Sequence, residues 1–85
     1  MTTAMQDIAA IESMVLEVLA EQLNRPVESG ELGNSFIDLG LDSLEAVFLC
    51  GALEERWSRP IDPVLVFEAA SVAEFVRLVF QELEA

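Results

Sequence analysis

Apolar side chains recur at intervals of three and four residues in three separate segments of this 85-residue chain. That spacing collects them on one side of an α-helix and leaves most charged residues on the other side. The first segment predicts a helix from about Met5 to Leu23, and Pro26 ends it because the residue before a proline disfavours the helical region. Its apolar stripe consists of Ile8, Ile11, Val15, Leu19 and Leu23.

A second helix is predicted from Ser43 to about Trp57. Asp42 can cap its first turn, and Glu45, three residues further on, completes a capping-box-like arrangement. The residues expected to face the core are Ala46, Leu49, Cys50, Leu53 and Trp57. Cys50 is the one cysteine, so no internal disulfide can form, and its position predicts a buried structural thiol.

The last segment predicts a helix that follows Ser71 and runs to about Leu83. Ser71 and Glu74 have the spacing of a further capping box. The residues expected to face inward are Val72, Phe75, Val76, Val79 and Phe80. A short helical turn is expected from Val64 to Glu68, where two preceding prolines and the lack of a partner strand disfavour a β-strand.

Residues 26–41, between the first two helices, show no sustained period. Glycines at 30, 33 and 40 mark turns, and Phe36, Ile37 and Leu39 supply apolar anchors. The sequence therefore predicts an all-α fold. We expect a small four-helix bundle, with three main helices plus one short helix and a long loop between helices 1 and 2. Residues 1–85 are expected to form a single domain, because this length is too short for two.

The charge balance is strongly acidic, with 16 Asp and Glu residues against four Arg and a formal net charge of −12. This charge argues against nucleic acid and anionic membranes, which attract basic surfaces. It favours partners with basic docking surfaces, although a charge that only keeps a monomer soluble fits as well. The N-terminus has no secretory pattern, and the longest apolar run, 46–53, is too short to span a bilayer. We therefore expect a monomeric cytoplasmic protein.

Residues 38–44, Asp-Leu-Gly-Leu-Asp-Ser-Leu, lie where the long loop meets the second helix. Ser43 is expected to be exposed there, beside the free backbone N–H groups of a helix N-terminus, which favours a phosphate group. Gly40 permits a tight entry of the backbone. Leu44 is expected to face away from Ser43 and to anchor the start of the helix.

This segment resembles the (D/E)xGxDSL signature of phosphopantetheine-dependent carrier proteins, the acyl and peptidyl carriers of fatty acid, polyketide and nonribosomal peptide synthesis. The similarity extends to Phe36 at an aromatic loop position and to residues 66–75 of the tail. It implies that Ser43 carries a covalent 4′-phosphopantetheine arm, with Asp42 as the flanking acid of the motif. The thiol of the arm would hold acyl groups as thioesters, so the protein would be a carrier without catalytic or metal-binding residues of its own.

The resemblance implies three kinds of partner: a phosphopantetheinyl transferase, an acyl-loading enzyme (an acyltransferase or acyl-AMP ligase), and a ketosynthase or other thioester-processing enzyme. The pair Leu41 and Asp42 favours acyl cargo for polyketide or fatty-acyl assembly, because peptidyl carriers more often have Gly-Gly-(Asp/His)-Ser around the serine. A peptidyl or aminoacyl carrier and an unmodified carrier-like interaction module remain as alternatives.

Partner docking is expected on the second helix, through Leu44, Glu45, Val47, Phe48, Gly51, Glu54 and Glu55. Many acyl carriers have a glutamate at the position of Phe48 and a larger apolar residue at that of Gly51. Two interpretations of Phe48 fit equally well. It belongs either to an apolar docking patch rimmed by carboxylates or to the core, packed against the long loop or Ile61.

Two other kinds of site do not fit the residues. A catalytic serine needs a general base, and the chain has no His and no Lys; Glu45 also occupies the position where a nucleophile elbow requires glycine. A calcium loop starting at Asp38 would need glycine and glutamate at the positions of Ser43 and Leu49.

Overall fold

The computed structural model describes residues 4–84, with side chains from residue 8 onward. Within this range the chain forms five α-helices, one 3₁₀ helix and no strand. The helices are α1 (Ala4–Leu23), the 3₁₀ helix (Ser29–Gly33), α2 (Phe36–Leu39), α3 (Ser43–Trp57), α4 (Val64–Glu68) and α5 (Val72–Glu84). The all-α prediction is confirmed, with three main helices and the short α4. Residues 1–3 and 85, which the single-domain prediction includes, lie outside the described range.

The loop between α1 and α3 contains more helix than the sequence predicted, namely α2 and the 3₁₀ helix. Each has at most five residues, too few to produce a hydrophobic period. Local caps stabilise α2: the Ser35 hydroxyl accepts a hydrogen bond from the Asp38 N–H at 3.0 Å, and Gly40 ends the helix at φ 95°. That φ strains any residue with a side chain, so the turn requires glycine at this position.

The core lies between the three long helices, where α1 packs against both α3 and α5. The buried side chains of these helices are Ile11, Val15, Leu19, Ala46, Leu49, Cys50, Leu53, Val72, Phe75, Val76 and Val79. Four residues predicted to face inward, Ile8, Leu23, Trp57 and Phe80, are only partly buried. Leu23 and Trp57 are the last residues of their helices, where fewer neighbours cover a side chain.

Phe36 fixes the long loop to the bundle. Its ring is buried and meets the ring of Phe75 edge to face, with centroids 5.1 Å apart and planes at 88°. The Val72 N–H also donates to the carbonyl oxygen of Asn34 at 2.9 Å, which joins the loop to the start of α5. Ile37 does not act as the predicted anchor, because 65% of it is exposed. It follows the buried Phe36 on α2, and successive side chains of a helix point in different directions.

Polar contacts hold the segment between α3 and α5 in place. The Glu54 carboxylate accepts a hydrogen bond from the Ile61 N–H at 2.8 Å. The Arg59 guanidinium donates to the carbonyl oxygens of Leu83 and Glu82 at 3.2 Å each, at the C-terminus of α5. A cation at this end of a helix is favourable, because the last carbonyl groups lack helical partners.

The start of α5 differs from the predicted capping box in one contact. The Ser71 hydroxyl accepts a hydrogen bond from the Glu74 N–H at 3.1 Å, as predicted. The Glu74 carboxylate, however, accepts from the N–H of Ala70 and not from that of Ser71. The reciprocal contact is therefore shifted by one residue towards the N-terminus.

Candidate functional site

Ser43 is the first residue of α3, and its side chain is exposed. Two residues earlier, Leu41 is buried, and its N–H donates to the carbonyl oxygen of Phe36 at 3.0 Å. Asp42 between them has an extended backbone, with φ −99° and ψ 178°. The chain therefore passes from a buried anchor to an exposed hydroxyl within two residues.

The capping box predicted around this serine is confirmed. The Asp42 carboxylate accepts a hydrogen bond from the Glu45 N–H at 2.8 Å, and the Glu45 carboxylate accepts from the Asp42 N–H at 3.0 Å. Both acids that flank Ser43 are thus engaged with the backbone of the first turn. These bonds fix the direction in which α3 begins and hence where the Ser43 hydroxyl points.

The backbone around Ser43 suits a phosphate group. The N–H groups of Ser43 and Leu44 belong to the first turn and have no hydrogen-bond partner among the described residues. They lie at the positive end of a 15-residue helix, where negative charge is stabilised. The exposed hydroxyl and these donors fit a phosphodiester on Ser43, which is the linkage that a 4′-phosphopantetheine arm requires.

Gln22 of α1 supports this helix start, and sequence reasoning did not single it out. Its side-chain N–H donates to the backbone carbonyl oxygen of Glu45 at 2.7 Å. The other amide atom, Oε1, is buried without a hydrogen-bond partner. Gln22 lies beside the apolar stripe of α1, so the hydrophobic period gave no sign of this contact.

An exposed apolar surface begins next to Ser43 and continues along α3. Leu44 and Phe48 are each 63% exposed and Val47 is 49% exposed. Gly51 and Glu55 are also exposed and follow one and two turns after Phe48. These five residues are here named the α3 outer face. The core interpretation of Phe48 is wrong, and so is the expectation that Leu44 anchors the helix, because both side chains point to solvent.

Two of the carboxylates expected at the rim of this surface have contacts within the domain. Glu45 takes part in the capping box, and Glu54 is half-buried and binds the Ile61 N–H. Glu55, in contrast, is exposed. Two of the three glutamates of α3 therefore make hydrogen bonds within the domain.

Cys50 is buried in the core, as predicted. Burial raises the pKa of its thiol to about 12, and the nearby carboxylates of Glu54 and Asp62 add to the effect. The thiolate is the reactive form of cysteine, so this side chain is unreactive at neutral pH.

Neither a metal cluster nor a membrane span stands out in the described part of the chain. Residues 8–84 contain no group of three or more His, Cys, Asp or Glu side chains arranged to hold a metal ion. None of the described helices is both long and apolar enough to cross a membrane.

Most of this chain matches a known protein family. The family model described as phosphopantetheine attachment site matches residues 13–79, from the third turn of α1 into α5. The chain belongs to the phosphopantetheine-dependent acyl carriers. The cofactor of this carrier is a covalent 4′-phosphopantetheine, and the carrier itself is not an enzyme.

One relative of this carrier is an acyl carrier protein of similar length, and two are much longer polyketide synthases. The acyl carrier protein of Wolinella succinogenes is 39% identical over 71 residues, which cover 82% of this chain and 93% of that protein. The polyketide synthase PksM of Bacillus subtilis is 30% identical over 69 residues, 81% of this chain. The polyketide synthase PksL of the same bacterium is 27% identical over 71 residues, 84% of this chain. The carrier spans only 2% of the length of each synthase. No solved structure matches it significantly.

Proposed function

We propose that Ser43 is the residue that carries the 4′-phosphopantetheine arm, and that the arm presents acyl thioesters to enzymes of polyketide or fatty-acyl assembly. The observation that carries this proposal is the position of Ser43. It is the exposed first residue of α3, within the family match, and it is preceded by the motif acid Asp42. The free N–H groups of the first turn support a phosphate at this hydroxyl.

The attachment step needs an enzyme from outside. The Ser43 oxygen forms a bond to the phosphorus of the pantetheine phosphate in coenzyme A, and adenosine 3′,5′-bisphosphate leaves. The chain has no His and no Lys to accept the hydroxyl proton, and the Asp42 and Glu45 carboxylates beside Ser43 are bonded to backbone N–H groups, so we assign that base to a phosphopantetheinyl transferase. The bound arm supplies a terminal thiol, on which acyl groups are held as thioesters. Because the donor is coenzyme A, we place this work in the cytoplasm.

The α3 outer face is the proposed docking surface for the partners. Leu44, Val47 and Phe48 offer apolar contact directly beside Ser43, and Gly51 and Glu55 extend the same side of the helix. Glu45 and Glu54 add negative charge at its edges. An exposed apolar patch within an acidic surface fits a partner with an apolar centre and a basic rim. Such partners include the transferase, an acyl-loading enzyme and a ketosynthase or another thioester-processing enzyme.

Intact mass spectrometry tests the attachment site. The wild type and Ser43→Ala are co-expressed with a broad-specificity phosphopantetheinyl transferase, with Ser13→Ala as a control at an exposed serine of α1. We expect the mass of one arm on the wild type and on Ser13→Ala, and the unmodified mass for Ser43→Ala. An arm that persists in Ser43→Ala would show another attachment site. A wild type without an arm would support the unmodified interaction module.

A further inference from the structure

Gly51 lies in the middle of α3, and nothing in the described chain explains why this residue is a glycine. Its φ is not in the left-handed region, which Gly40 occupies. A Cβ built on Gly51 meets no atom within 4 Å, so the methyl group of alanine has room there. The helix also continues through this position without a break, from Ser43 to Trp57.

A glycine at such a position has a cost for the carrier. Glycine inside a helix is less stable than alanine, because it loses more backbone freedom on folding. The fold would accept alanine at residue 51 and would gain stability from it. The folded chain therefore gives no reason for the glycine, and the exposed side of α3 is the place to look for one.

The neighbours of Gly51 define the shape of that surface. On a helix, residues three and four positions apart are neighbours, so Gly51 is next to Phe48 and Val47 on one side and to Glu55 on the other. Phe48 is 63% exposed and Val47 is 49% exposed, and both have bulky side chains. Without a side chain, Gly51 leaves a notch in the α3 outer face between these apolar groups and the Glu55 carboxylate.

We propose that this notch receives a bulky apolar side chain of the acyl-loading enzyme, and that basic residues around that side chain meet Glu55 and the acidic surface. The proposal rests on the proposed function, since it places the docked enzyme on the helix that begins at Ser43. Charge favours this occupant over a second copy, because each copy carries a formal charge of −12 and two copies repel each other.

The test compares carriers that differ in the volume of residue 51. Wild type, Gly51→Ala and Gly51→Leu are converted to the arm-bearing form with a broad-specificity transferase and checked by intact mass. Gly30→Ala is the control, because its added Cβ also meets open space, but in the 3₁₀ helix, which contacts α5. Purified acyl-AMP ligases and acyltransferases are screened on the wild type, and the fastest is used for steady-state kinetics and melting measurements on all four.

We expect the KM for the carrier to rise from Gly to Ala to Leu, by roughly tenfold or more for Leu, because a filled notch forces the two surfaces apart. The kcat should stay unchanged, since the arm and its thiol are the same. Gly51→Ala should melt roughly 2–8 °C higher than the wild type, which shows that weaker docking does not come from unfolding. Gly30→Ala should keep the wild-type KM.

Three results would overturn the inference. The KM could be the same for all four carriers, or it could be lower for Gly51→Leu than for the wild type. The third result is a wild type that forms dimers while Gly51→Leu is a monomer. The last would identify a second copy as the occupant. A failure of the proposed function would give a result different from these three. In that case the wild type would lack the arm in the mass spectrum, or no enzyme in the panel would load it.

Discussion

The side-chain amide of Gln22 in α1 donates a hydrogen bond to the backbone carbonyl oxygen of Glu45 in the first turn of α3, at 2.7 Å. Glu45 also forms the capping box with Asp42, so one residue joins α1 to the helix end that presents Ser43. The position of Ser43 relative to the bundle therefore depends on α1 as well as on its own helix.

The Gln22 contact predicts an unusual order of stability among substitutions. Gln22→Ala removes the hydrogen bond and should lower the free energy of unfolding by about 0.5–1.5 kcal/mol. Gln22→Met loses the same bond and, like Gln22→Ala, removes the buried Oε1 that has no partner, but it keeps the volume of the side chain and so leaves no cavity. It should therefore be less destabilising than Gln22→Ala, or even stabilising. Urea denaturation measures both; a greater loss for Met than for Ala would contradict this account.

A substitution of Leu53 tests how much the packing of the core contributes to stability. This residue is fully buried on α3, so Leu53→Ala should lower the free energy of unfolding by about 2–5 kcal/mol, the range for cavity-forming leucine substitutions. Phe48→Ala removes a larger side chain from the exposed side of the same helix and should change stability by only about 0.5 kcal/mol. Denaturant midpoints compare the two. Equal losses would mean that Phe48 packs more closely against the bundle than its exposure indicates.

The long helices could be predicted from the sequence because their signals are local and repeated. α3 begins and ends at the predicted residues, Ser43 and Trp57, since a capping box and an apolar stripe agree there. The proposal that Ser43 carries the arm also comes from a local signal, the motif of residues 38–44. α2 was not predicted, because four residues provide no period, and its cap contacts depend on the conformation of single residues such as Gly40.

Tertiary contacts account for the remaining differences. Ile37 and Phe36 are adjacent apolar residues, and which of them is buried follows from the place of the Phe75 ring on α5. The hydrogen bond from Gln22 likewise joins residues 23 positions apart. No pattern within one segment contains this information, because it arises only when the helices pack together.

Cys50 predicts a loss of stability at alkaline pH. Its pKa is raised in the folded state from an ordinary value of 9.0 to about 12, chiefly by burial and then by the Glu54 and Asp62 carboxylates. Above pH 9.0 the unfolded thiol loses its proton while the folded one keeps it, so the unfolded state is favoured. The stabilising contribution is complete below that pH and is lost as the pH rises towards about 12.

The composition makes this effect easy to assign, because the chain has no Tyr and no Lys to ionise in the same range. The free energy of unfolding of the wild type should fall above pH 9.0 with a slope that approaches about 1.4 kcal/mol per pH unit. In Cys50→Ala this slope should disappear. The variant should be less stable than the wild type near neutral pH, because the substitution leaves a cavity. Parallel curves for the two proteins would show that Cys50 is not the responsible group.

Phe48 tests whether partners dock mainly through apolar contact. In Phe48→Glu, an exposed apolar side chain of the α3 outer face is replaced by a charge in an already acidic surface. Stability should hardly change, because 63% of Phe48 is exposed, whereas the KM for acyl transfer by a partner should rise. Gln81→Glu adds the same charge at an exposed position of α5 and serves as the control for the change in net charge. If both variants raise KM equally, net charge governs docking. A rise confined to Phe48→Glu assigns the effect to lost apolar contact, because a carboxylate alone would be attracted by the basic rim proposed for the partner.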